Sequence, residues 1–215
     1  MAGKITALEP QKQSRDRVNV YLDGEFAFGL ADITAARLTV GAWLTDAEIA
    51  SLLKADGFER AREKALSYLS YRPRSTAELG SYLSERGFSE DVVSAVLSRL
   101  GEVGLLDDEA FARSWLENRL LLRPKGRRAL SAELQQKGIP AEISERILES
   151  FDEASVIRQV AEEQARRLSH LPPDVFRRRL TARLSSRGFA YDLIQETLSH
   201  LQAPQLSFES ESEEY

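Results

Sequence analysis

The sequence predicts a mainly α protein: an elongated array of three tandem three-helix repeats, the third truncated, preceded by a small N-terminal segment containing a β-hairpin. Three observations lead there. Residues 17–30 alternate apolar and polar positions around an Asp-Gly dipeptide. From Thr45 to about residue 203 apolar residues recur at helical spacing, with no strand pattern. Within that stretch one eleven-residue pattern returns three times, at intervals of 51 and then 50 residues.

In chain order, RVNVYL (17–22) and EFAFGL (25–30) flank Asp23-Gly24, a preferred two-residue type I′ turn, and so form a hairpin. An isolated hairpin is marginal in water, so a short strand at Lys4–Leu8 is expected to pair with it. Thr45-Asp-Ala-Glu48 is a capping box that opens a helix carrying Ile49, Leu52 and Leu53. A break at Gly57 is expected before a second helical stretch with Phe58, Ala61, Ala65 and Leu69 on one side.

ELGSYLSERGF (78–88), ALSAELQQKGI (129–139) and RLTARLSSRGF (179–189) place Leu79, Leu130 and Leu180 in register, then Leu83, Leu134 and Leu184, then Gly87, Gly138 and Gly188. Leucines four apart share one helix face and give it a buried stripe. The glycine supplies the left-handed residue that ends the helix, and Arg86, Lys137 and Arg187 before it favour the negative end of the dipole. Further on Val92, Ile143 and Leu193 align, as do Leu97, Leu148 and Leu198, on a second helix begun by Ser89 in copy one and near Pro140 in copy two. A third helix of copy one starts at GLLDDEAFARSW (104–115), with Asp107 or Asp108 as N-cap and Phe111, Trp115 and Leu116 on its apolar face. Residues 152–168 supply the matching helix of copy two, and copy three ends near Leu201. The expected divisions are 1–44 (β-rich segment), 45–71 (connecting helices), 72–122, 123–170 and 171–203 (repeats), and 204–215 (a solvated acidic tail with four glutamates and no cation).

Composition excludes much chemistry. The chain has no cysteine, so disulfides, zinc-thiolate sites, iron-sulfur clusters and cysteine nucleophiles are all ruled out. No apolar run approaches the roughly 20 residues needed to span a bilayer, and the start lacks a signal-peptide pattern, so a cytoplasmic location is expected. There is no phosphate-binding loop, dinucleotide fingerprint or nucleophile elbow. Asp107-Asp108 suggests a metal or acid-base site, but neither further ligands nor a catalytic partner stand nearby, and carboxylates in a first helical turn complement the helix dipole. His170 and His200 lie near helix ends without a metal motif. No catalytic residue, metal or cofactor is expected.

The net charge of -5 conceals a basic stretch: from Arg166 to Arg187 the chain carries seven arginines against the single acid Asp174. YRPRS (71–75) and RPKGRR (123–128) sit at matching repeat positions, each with a proline just before the first helix of its unit. In FRRRLTARLSSRG (176–188), Arg179, Arg183 and Arg187 form an i, i+4 stripe beside Phe176, Leu180 and Leu184. A solvated helix face explains any single run. Recurrence at equivalent sites points to a polyanion or an acidic protein surface.

The RPRS lead-in, ELxxxLxxRGF, the run GLLDDEAFARSWLENR, and a second unit opening RPKG and continuing to QQKGI resemble the RecX family of bacterial recombination regulators. The resemblance covers about residues 70–203, and ITALEPQKQSRDRVNVYLDGEFAFGL resembles the N-terminal extension of some members. It implies a non-enzymatic, monomeric regulator that binds RecA, lies along the groove of the RecA-DNA filament and inhibits its ATPase, strand-exchange and coprotease activities in recombination, DNA repair and the SOS response. Single- or double-stranded DNA is a secondary partner, and no membrane is involved. The expected contact residues are Arg72, Arg74, Arg123, Lys125, Arg127, Arg128, Arg179 and Arg183. Copy three departs from the pattern, reading HLPPDVFRRR in place of an arginine-proline opening. Two other readings fit the residues: an autonomous helical DNA-binding module, and a nucleic-acid enzyme centred on Asp107 and Asp108.

Overall fold

The computed structural model describes residues 2–12 and 14–201, so the acidic segment 204–215 lies outside the described residues. The chain forms two compact units, 1–107 and 108–215.

The first unit opens with β1 (Gly3–Gln11), β2 (Ser14–Leu22), β3 (Glu25–Ala31), the short α1 (Asp32–Ala35) and β4 (Trp43–Leu44), an antiparallel sheet in the order β3-β2-β1-β4. The predicted turn is present: Asp23 and Gly24 both have positive φ, 49° and 91°, as a type I′ turn requires. Leu22 pairs with Glu25 and Tyr21 with Phe26 across it. Alternation buries Val20 and Leu30 with Ala35, and Leu8, Val18, Phe28 and Leu52 close this small core. β1 runs longer than expected, and β4, two residues at the sheet edge, had no sequence signal.

α2 (Asp46–Leu69) starts at the predicted capping box, where Thr45 Oγ1 accepts from the Glu48 N–H and the Glu48 carboxylate accepts from the Thr45 N–H. It then runs unbroken through Gly57, contrary to the expected break. Tertiary contact overrides the helix cost of one glycine, about 1 kcal/mol, because α2 packs on both sheet and helices. Asp56 fastens the sheet to α2. Its side chain, 6% exposed, accepts from Arg17 Nη1 at 3.2 Å and Nη2 at 3.3 Å and from the Ala31 N–H at 2.7 Å.

α3 (Thr76–Ser84) and α4 (Glu90–Glu102) complete the first helix trio. Leu79, Leu83, Val96 and Leu100 pack there on Ala61 and Ala65 of α2. In the second unit α5 (Asp108–Leu122), α6 (Arg127–Gln136) and α7 (Ala141–Glu149) bury Phe111, Ala112, Leu134, Ile139 and Ile147 together. There α8 (Glu153–Leu168), α9 (Pro173–Ser186) and α10 (Tyr191–His200) share a core of Ile157, Val160, Leu168, Leu180, Leu184, Phe189 and Ile194.

The leucine register is the repeat's core: Leu79, Leu130 and Leu180 are buried, as are Leu83, Leu134 and Leu184. All three first helices of the pattern close alike. Gly87, Gly138 and Gly188 have φ of 82°, 71° and 84°, and the N–H groups of Phe88, Ile139 and Phe189 reach back to the carbonyls of Leu83, Leu134 and Leu184. The grouping has a different phase from that expected. The helix preceding each pattern packs with it, so α5 belongs to the second trio and α8 to the third, and the last trio is complete where a truncated copy was expected. Asp107 immediately precedes α5, and Asp152 caps α8 by accepting from the Ser155 N–H.

Candidate interaction surface

The two arginine-proline lead-ins connect α2 to α3 and α5 to α6. Pro fixes its own φ and pushes the residue before it toward extended backbone, so Arg72 and Arg123 stand off the helix ends. Arg72 is half-turned to solvent and is held by Glu78, with Nη2 at 3.2 Å from Oε1. Arg123 is exposed and makes no ion pair among the described residues.

The second cation of each lead-in is engaged within the fold. In the first trio Arg74 lies over the Tyr68 ring at 3.9 Å, Tyr68 stacks on Tyr82 at 3.8 Å and 10°, and Arg86 covers the other face of Tyr82 at 3.4 Å. This four-layer stack joins the end of α2 to α3 through cation–π contacts, each contributing about 0.5–2 kcal/mol according to exposure. In the second trio the equivalent positions, 51 residues on, hold Lys125, Arg119, Glu133 and Lys137. Here the glue is ionic: the Glu133 carboxylate accepts from Lys125 Nζ, from Arg119 Nε at 2.6 Å and from Trp115 Nε1 at 2.9 Å. Burial raises the Glu133 pKa, but hydrogen bonds from Lys125, Arg119 and Trp115 outweigh it and hold the carboxyl below its ordinary value.

Arg127 is likewise structural. Its N–H donates to Glu153 Oε1 at 2.8 Å, and its guanidinium donates to the Leu148 and Phe151 carbonyls, tying α6 to the α7–α8 turn. Beside it Gly126 and Gly188 meet backbone to backbone. The Gly126 N–H donates to the Arg187 carbonyl at 2.9 Å, while Arg187 Nη1 donates to the Pro124 carbonyl at 3.2 Å. A Cβ on Gly126 would lie 2.5 Å from the Gly188 oxygen, so only glycine fits.

Of the expected contact residues, then, Arg74, Lys125 and Arg127 stabilise the fold. Arg128 and Arg179 are exposed, and neither side chain makes a hydrogen bond or ion pair among the described residues; Arg183 donates to Gln164 Oε1 at 2.9 Å while remaining exposed. Arg178, which sequence reasoning did not single out, joins Arg179 as a second exposed, unengaged cation on α9. Tyr68, Tyr82 and Glu133 were also missed, and Trp115 was read only as part of an apolar helix face, although the offset of 51 that aligns the leucines aligns Tyr82 with Glu133. Next to the acidic pair, Glu109 forms ion pairs with Arg113 and Arg146, and hydrogen bonds from Arg113 and then Arg146 lower its pKa. Among the described residues no helix is long and apolar enough to cross a membrane, and no group of three acidic or histidine side chains converges as metal ligands do.

Four family models match the chain in order. They are described as the regulatory protein RecX N-terminal domain (residues 3–44) and the RecX first (61–100), second (107–148) and third (152–198) three-helix domains. The second and third of these three-helix stretches coincide with trios that pack together, and the first takes in the C-terminal part of α2 with α3 and α4. Regulatory protein RecX of Mycolicibacterium smegmatis is 40% identical over 154 residues, 66% of this chain and 81% of that protein. That of Lactobacillus gasseri is 34% identical over 205 residues, 92% of this chain and 74% of that protein. The match to the Lactobacillus johnsonii protein, 36% identical, spans 55% of that protein's length. A crystal structure of regulatory protein RecX superposes with a TM-score of 0.74 at 29% identity, covering 92% of this chain and 99% of that one. A crystal structure of RecX from Lactobacillus salivarius gives 0.62 at 27%, covering 67% and 96%. With its sheet and all three helix trios matched, the chain belongs to the RecX family of regulatory proteins.

Proposed function

We propose that this protein binds RecA and the RecA-DNA filament and inhibits the filament's ATPase, strand-exchange and coprotease activities, acting without catalysis of its own. The supporting observation is the triplicated helix trio. Three copies of one module address a partner that itself repeats, because weak contacts made in series on one chain add into tight binding. Exposed, unengaged cations of the repeats, Arg123 and Arg128 beside α6 and Arg178 and Arg179 on α9, supply attraction to the phosphates or acidic faces of such a filament.

The test is to add the protein to RecA on single-stranded DNA and follow ATP hydrolysis and co-sedimentation. Slowed hydrolysis with co-sedimentation is expected; an unchanged rate without co-sedimentation refutes the reading. Reversing Arg178 and Arg179 to glutamate should weaken filament binding and lower its salt dependence, by about one unit of log–log slope per lost phosphate contact. The same two residues favour a second reading, an autonomous DNA-binding module. Tight, salt-sensitive binding to DNA without RecA would select it.

A further inference from the structure

We infer that Tyr71 and the pair Leu121-Leu122 form two copies of one apolar docking finger, each seating in an apolar, acid-rimmed pocket on a protein subunit of the filament; this rests on the reading above. Among the exposed large hydrophobic side chains of the described residues, these three have the highest exposures, at 80%, 81% and 72%. A lone exposed leucine needs no explanation. What needs one is position. Tyr71 and Leu122 occupy the same repeat position, 51 residues apart, and each is followed by Arg-Pro. Within each unit the neighbouring positions are committed to packing, by the Arg74–Tyr68–Tyr82–Arg86 stack in one and the Glu133 cluster in the other. The fold thus clamps the residues after each proline and leaves an apolar side chain plus one cation, Arg72 or Arg123, facing outward.

That pairing selects the occupant. Aliphatic leucines offer no flat face for a base to stack on, so the feature the two copies share is apolar rather than aromatic, and nucleic acid is a poor match for the finger. A pocket with an apolar floor and an acidic rim matches both parts. Two copies on one chain fit a polymer that presents the pocket repeatedly, and docking at both multiplies the affinity.

The experiment compares the full-length protein with Tyr71→Ser, Leu121→Ser/Leu122→Ser and the combined variant for binding to RecA filaments on single-stranded DNA at several salt concentrations. Thermal unfolding is the control that these exposed substitutions leave the fold intact. Each lead-in change should weaken binding roughly tenfold or more, and the combination should multiply the two losses, because each removes an apolar side chain from a buried contact. The salt slope should stay that of the unmodified protein. Unchanged affinity in the variants, or a loss from one lead-in alone, overturns the inference while leaving filament binding in place. If the unmodified protein does not bind filaments, the functional reading fails and the inference with it. Equal weakening on DNA without RecA would assign the fingers to nucleic acid, and a dimer that the variants dissociate would assign them to a second copy of this chain; either result overturns the proposal.

Discussion

Replacing Glu133 with Ala or Gln should loosen the joint between α5, the second lead-in and α6. Ala leaves two cations and an indole N–H without their common acceptor. A buried hydrogen bond to a charged group is worth about 1.5–3 kcal/mol and an exposed ion pair about 0.2–1 kcal/mol. With the Glu133 side chain 14% exposed but Arg119 and Lys125 30% and 33%, the three contacts together should contribute about 2 kcal/mol, near 10 °C in melting temperature for a unit of this size. The sign of the pH dependence follows from the lowered pKa. The contribution is present above the ordinary glutamate value, about 4.3, and is lost as pH falls through the lower folded value. Glu48 and Glu109 are lowered too, by Thr45 and by the Arg113 and Arg146 hydrogen bonds respectively, but both are common to all variants and cancel in the difference. Urea unfolding followed by Trp115 fluorescence, in a Trp43→Phe background, measures it directly because the Glu133 carboxylate sits on the Trp115 indole nitrogen. A Glu133→Gln protein as stable as its parent at pH 7, or a stability gap that does not shrink as pH falls below about 4, would refute the account.

Asp56→Ala should cost about 3 kcal/mol, the low end for breaking a buried pair, because Arg17 is 25% exposed and can rehydrate; loss of amide protection in β3 with little change in α9 would locate the damage in hydrogen exchange. Gly57→Ala should raise stability by about 0.5–1 kcal/mol, since the added methyl meets only Val92 Cγ2, at an ordinary 3.8 Å, and a lowered melting temperature would contradict that. Gly87→Ala and Gly188→Ala share a left-handed φ, but the new methyl at 87 meets nothing within 4 Å, whereas at 188 it falls 2.4 Å from the Ala129 Cβ. The first should cost about 1–2 kcal/mol and the second at least about 1 kcal/mol more, and equal melting temperatures would show that the close approach of Gly188 to Ala129 does not constrain the unit.

Features that depend on local chemistry were legible in the sequence. The Asp23-Gly24 turn, the Thr45 capping box and the glycine-terminated leucine helices each rest on a few neighbouring residues, and each is present. The phase of the repeat was not legible, because periodicity fixes the interval between helices but not which neighbour each helix packs against. Asp56 was hidden for a related reason: a carboxylate inside an amphipathic helix reads as surface until its partner, 39 residues away, is placed beside it. The candidate contact residues divide the same way. Composition showed where cations concentrate, but whether a cation faces solvent or braces the fold depends on acceptors such as Glu133, Glu153 and the Leu148 carbonyl, which come from other helices.

At one structural locus the first trio uses stacked tyrosines, the second a carboxylate cluster and the third Arg183 with Gln164, so the chemistry varies while the task of holding the trio's first two helices together persists. In the third trio the lead-in has lost its Arg-Pro pair and α9 instead carries Arg178 and Arg179 unengaged. Affinity should accordingly separate into two parts with different physical signatures. The proposed apolar fingers at Tyr71 and Leu121-Leu122 would contribute a part insensitive to salt, and the α9 arginines a part that falls steeply with it. Filament affinity measured from 50 to 200 mM salt should therefore keep its slope when the fingers are removed and flatten when Arg178 and Arg179 are reversed. Variants that all shifted slope and intercept together would show that the two surfaces act as one continuous interface.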